Sequence, residues 1–137
     1  MSDKSKGFIL PAATAGNAAL ADIGTVETYG KMPWISFTVK NSHATQALTD
    51  FAVLVRDSMG GEWATLWSGT DWADPTLFRD GSWVGTSNST DANLKILPAG
   101  EWCKIVLFIG PVYAVKFQAK DGAAAATIAI NGHAAGE

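Results

Sequence analysis

Trp34-Ile35-Ser36-Phe37-Thr38-Val39-Lys40 decides the fold. Ile35, Phe37 and Val39 fall on one side of an extended chain, and Ser36, Thr38 and Lys40 on the other. Side chains of a strand alternate between its two faces, so this stretch predicts a half-buried β-strand. The same period returns on either side. Phe51, Val53 and Val55 alternate with Ala52, Leu54 and Arg56. Tyr113, Val115, Phe117 and Ala119 alternate with Ala114, Lys116, Gln118 and Lys120. Trp63, Thr65 and Trp67 share a face of a further strand. Trp102 to Ile109 is almost continuously apolar, the pattern of a central strand covered on both faces.

Turn chemistry separates these runs. Asp57 to Gly61 carries a glycine pair, Pro98-Ala99-Gly100 follows the short strand Leu94–Leu97, and Asp121-Gly122 marks a tight turn. Ala126 to Asn131 reads as the last strand, with Ile128 and Ile130 inward and a small-residue tail behind it. No 3.6-residue period competes. About seven or eight short strands with such punctuation predict an all-β protein, an antiparallel β-sandwich or jelly roll. A chain of 137 residues fits one domain. The sandwich is placed at residues 21–137 and an extended N-terminal arm at 1–20, with Phe8-Ile9-Leu10 as a hydrophobic hook on it.

Residues 68–93 read differently. Ser, Gly, Thr, Asp and Asn dominate, with Trp72, Leu77, Phe78, Trp83 and Val84 embedded among them. A long irregular segment of this kind is usually functional, and the aromatics argue against disorder. The chain holds six tryptophans, five of them from Trp63 to Trp102. Large aromatics give contact area at small entropy cost, so they favour interfaces and glycan platforms. Filling the core of a small β domain accounts for about half of them, because Trp is mostly buried on average.

The composition points to adhesion more than to catalysis. Charged residues make up 17% of the chain and the net charge is −3. The lysines are scattered, with no basic patch, which argues against nucleic acid. There are two histidines, His43 in a polar loop and His133 in the tail, and no Gly-x-Ser-x-Gly elbow, His-x-x-x-His or Cys-x-x-Cys spacing. Among Asp71, Asp74 and Asp80, with Asp57 and Glu62, two could flank a sugar as acid and nucleophile, and three could bind calcium through oxygen ligands. Their spacing fits no EF-hand, and Asp in such loops more often caps turns. The expectation is a non-enzyme with no cofactor and no metal. Cys103 is the single cysteine and sits in an apolar strand, so no disulfide framework is expected. Neither a signal-peptide core nor a run long enough to span a membrane is visible, which predicts synthesis in a cytoplasm without a secretion signal.

Four segments, Ile35–Asn41 (ISFTVKN), Ala47–Arg56 (ALTDFAVLVR), Leu97–Gly110 (LPAGEWCKIVLFIG) and Val115–Gly132 (VKFQAKDGAAAATIAING), carry a resemblance. In strand pattern the chain resembles small β-sandwich proteins of tailed-bacteriophage virions, of the capsid decoration or cement type. The resemblance implies a virion location and a homo-oligomer, often trimeric, seated on a lattice of major capsid protein. It implies that such a protein bridges neighbouring subunits and has no fixed site to transfer. The residues expected to bury against partners are Phe8, Ile9 and Leu10 of the arm and Trp72, Phe78 and Trp83 of the loop. The competing reading is a carbohydrate-binding module, or a glycan-binding virion module. There Trp63, Trp67, Trp72 and Trp83 would offer stacking faces, and Asp71, Asp80 and Asn88 would bind hydroxyls.

Overall fold

In a computed structural model the strands form two antiparallel sheets packed face to face, a β-sandwich. The structure describes residues 5–16, 19–69, 83–91, 96–121 and 126–136. Among them the strands are β1 (Ser5–Ile9), β2 (Ala13–Ala15), β3 (Ala21–Glu27), β4 (Trp34–Asn41) and β5 (Leu48–Arg56). They continue as β6 (Ala64–Gly69), β7 (Trp83–Ser87), β8 (Trp102–Phe108), β9 (Ala114–Asp121) and β10 (Ala126–Ala135). The larger sheet runs β1-β10-β4-β8-β7, with β2 also on β10, and the smaller runs β3-β9-β5-β6.

The segment read as an arm enters the larger sheet. β1 pairs with Asn131–Ala135, and β2 with Ala126–Ile128. The Leu10 amide donates to the Ile130 carbonyl at 2.9 Å, so β1 and β2 act as one interrupted strand along β10. This is why more strands appear than the seven or eight expected. The C-terminal residues beyond Asn131, read as a tail, extend β10 between β1 and β4.

The core follows the alternation. Ile35, Phe37 and Val39 of β4 are buried, as are Phe51 and Val53 of β5, Val115, Phe117 and Ala119 of β9, and Ile128 and Ile130 of β10. Four phenylalanines tie the sheets together. Phe117 lies 4.8 Å from Phe37, 6.1 Å from Phe51 and 6.3 Å from Phe8, centroid to centroid. Two come from each sheet, so this cluster is the joint of the sandwich. Phe37, Phe51 and Phe117 are fully buried, and each such side chain contributes about 1.5–3 kcal/mol, while Phe8 is partly buried against them.

β8 departs from the expectation of cover on both faces. Cys103, Ile105 and Leu107 are buried, whereas Trp102 and Val106 are half-buried and Phe108 is exposed. A sheet of a two-layer sandwich has one inner face only. The outer apolar residues are served by neighbours in the sheet: Phe108 lies opposite Trp34, with ring centroids 5.1 Å apart and edge to face. The irregular region also contains more strand than expected. β6 runs to Gly69, and β7 occupies Trp83–Ser87 and pairs with β8.

Cys103 is fully buried, and burial pushes its thiol up to about 11. The phenols of Tyr29 and Tyr113 are raised as well. For Tyr29 the cause is hydrogen bonding to Glu27 and then its charge, and for Tyr113 burial and then Glu27. Below an ordinary thiol pKa of 9.0 Cys103 is protonated in both states, and its contribution to stability is constant. Above it the unfolded chain loses protons that the folded chain keeps, so stability falls as pH rises from about 9 to about 11. Urea midpoints taken from pH 7 to 11 should be flat and then decline. Iodoacetamide at pH 8 should alkylate the unfolded chain in minutes and leave the native chain largely unmodified.

Candidate interaction surface

β1 forms one edge of the larger sheet, with no further strand beside it among the described residues. In an antiparallel pair, residues alternate between those that exchange hydrogen bonds with the partner and those whose N–H and C=O point away. The Leu10–Ile130 bond fixes the phase: Lys6, Phe8 and Leu10 bond to β10. Ser5, Gly7 and Ile9 therefore turn their backbone groups outward.

The three hook residues separate by the same alternation. Phe8 turns inward and stacks on Phe117, and Leu10 packs against the core. Leu10 also lies over Gly24 of β3, where an added Cβ would stand 2.7 Å from its Cδ1, so glycine makes room for it. Ile9 turns outward and is 86% exposed. A shallow groove beside it is lined by Gly7, Phe8, Ile9, Asn131 and Gly132. The sequence marks the apolar triplet but not which member is free, because that depends on the pairing with β10.

A second surface lies on the outer face of the smaller sheet. Trp63, just before β6, has two cations over its ring, the Arg56 guanidinium and the Lys116 ammonium, each 4.6 Å from the centroid. Arg56 also lies 5.8 Å from the Tyr113 ring. The Tyr113 hydroxyl donates to the Glu27 carboxylate at 3.1 Å, and Lys116 meets Asp22 at 3.6 Å. An exposed cation–π contact contributes about 0.5–1 kcal/mol. Trp63 is therefore engaged by its own protein and is less open than a bare glycan platform.

The polar loops are used locally. His43 Nδ1 accepts from the amides of Thr45 and Gln46 at 3.0 and 2.9 Å, so its lone pair is occupied by the loop. Buried Asn41 donates to the carbonyls of Gln46 and Leu97 and accepts from the His43 amide. Asn88, a hydroxyl-binding candidate in the glycan reading, accepts from the Trp102 amide at 2.7 Å. The Glu101 carboxylate accepts from the Thr90 amide and hydroxyl, which fixes the start of β8 to the preceding loop. These bonds satisfy groups at the sandwich ends.

Trp72 and Phe78 lie outside the described residues, as do Asp71, Asp74 and Asp80. Trp67 and Trp83 stand in β6 and β7, and only their backbones are described. Sequence reasoning missed Trp34 and Phe108 as surface aromatics, and Met59, 75% exposed in the turn after β5. The signal for Phe108 was available in the strict inward alternation of Cys103, Ile105 and Leu107.

No family model and no curated protein matches the chain. Among solved structures, the SPBc2 prophage-derived protein YomS is similar to this β-sandwich over 94% of this chain and 92% of that one, with a TM-score of 0.46 and 13% sequence identity.

Proposed function

We propose that this chain is a non-enzymatic structural component of a phage virion, a capsid decoration or cement subunit that stabilises the head by bridging capsid subunits. The observation that supports the reading is Ile9, a large apolar side chain 86% exposed on the edge strand β1 of the larger sheet. Burying it against a neighbour contributes on the order of 1.5–3 kcal/mol. Many copies on a shell multiply a modest contact through avidity. A charged fraction of 17% leaves much of the surface compatible with cover. The partners in this reading are major capsid protein or other virion subunits, and the location is the assembled particle.

Sedimentation from the native source through a density gradient tests it. The chain should travel with virus-sized particles at a lattice-like copy number. A chain that stays at the top as a small species defeats the reading. Particles stripped of the protein should rebind the wild type, and Ile9→Lys should rebind about tenfold less well, the loss of one buried apolar side chain. Deleting residues 1–11 is a poor probe. It removes β1 together with the Phe8 and Leu10 core contacts, so weak attachment would report a damaged fold.

A further inference from the structure

We infer that β1 is a docking edge for a second copy of this chain, which pairs with it antiparallel about Gly7 so that the larger sheets of two molecules run on into one. Such pairing is a property of the isolated chain and needs no capsid.

Natural sheets protect their edges with bulges, charges, proline or short length, because an open row of N–H and C=O groups templates further pairing. The described edges of this sandwich are mostly protected. The ladder of β7 shifts between Val84 and Ser87, that of β3 between Asp22 and Gly24, and that of β6 opposite Val53 and Leu54. β2 is three residues long. β1 alone pairs with its neighbour over five residues without a shift, and it contains no proline. Its one charge does not guard the edge. The Lys6 ammonium reaches across to the Glu27 carbonyl at 3.4 Å and lies 5.8 Å from the Tyr29 ring.

The register of a second strand follows from which groups are free. Ser5, Gly7 and Ile9 present outward N–H and C=O groups, so they must pair with one another. Centred on Gly7, the pairs are Ser5 with Ile9, Lys6 with Phe8, and Gly7 with Gly7. All three free residues then bond, no like charges oppose each other, and the groove beside Gly7 and Ile9 is covered. Centred on Lys6, two ammoniums would stand opposite each other, which is unfavourable. Centred on Phe8, Ser5 would face Pro11, which has no N–H to give. A two-fold pair is thus the match for this edge, in place of the three-fold assembly that the virion resemblance implies.

Sedimentation velocity of the full chain over about two decades of micromolar concentration gives the first readout. A concentration-dependent dimer is expected. Gly7→Pro removes an N–H that points away from β10, so circular dichroism and thermal midpoint should stay near wild type. Dimerisation should weaken about tenfold or more, from the lost bonds at the two-fold axis. Ile9→Lys, at an exposed position, should weaken it likewise. Gly7→Cys should cross-link under mild oxidation, because directly paired Cα atoms lie about 5.5 Å apart, within disulfide reach. Ser5→Cys should not, being about 14 Å from its counterpart in this register. A monomer at every concentration, a trimer, or a dimer untouched by both Gly7→Pro and Ile9→Lys overturns the inference. Cross-linking of Ser5→Cys in preference to Gly7→Cys overturns the register.

Discussion

Replacing Phe117 by alanine should cost about 3–5 kcal/mol, the range for deleting a large aromatic from a packed core. Phe117 is fully buried on β9, in the smaller sheet, and meets Phe37 and Phe8 of the larger sheet as well as Phe51 of its own. The cavity would open at the joint of the two layers, where neither sheet can move in without shifting its whole ladder. A thermal midpoint lower by about 10 °C or more is expected for a domain of this size. Phe117→Leu, which keeps most of the volume, should cost less than half as much. If alanine lowers the urea-derived stability by under about 1.5 kcal/mol, the phenylalanine cluster does not join the sheets.

The second large effect is expected at Gly132, where β10 lies between β1 and β4. Gly132 is opposite Phe8 on one side and Phe37 on the other. An added Cβ would run into the Ser36 carbonyl oxygen and would stand 2.8 Å from both Cα and Cβ of Phe37. Backbone atoms cannot step aside as a flexible side chain can. Gly132→Ala should therefore destabilise by about 3 kcal/mol or more, at the upper end for overpacking. Ala129→Ser, on the same strand but facing outward, should change stability by under about 0.5 kcal/mol. Equal costs for the two, read from urea unfolding, would show that β10 does not approach β4 as closely as the structure places it.

The strands with strict alternation were legible. Ile35, Phe37 and Val39 are buried as their period requires, and so are Phe51 with Val53, Val115 with Phe117, and Ile128 with Ile130. Where the chain spelled its strands in alanine and glycine, the period disappeared. Ala134 is buried and Gly132 touches β4, yet neither carries a β-forming side chain to announce it. β1 was legible only as an apolar triplet, because its conformation is set by β10, more than 120 residues away. Of the candidate contact residues, the hook resolved into two inward side chains and one outward. That division needs one hydrogen-bond phase that composition does not contain.

The pairing of β1 and β2 with β10 also sets a schedule. β1 and β2 are completed by β10, far later in the sequence, with Ser5 opposite Ala135 and Ala15 opposite Ala126. On a ribosome, the smaller sheet has all of its described strands once Asp121 has emerged, while the larger one still lacks the strand between β4 and β1. Throughout that interval Phe8, Ile9 and Leu10 have no strand to lie on and stay open to other chains. Closing so long a loop is slow compared with local hairpins. Wrong pairing of the hook between nascent copies is therefore possible from the emergence of β1 until β10 inserts.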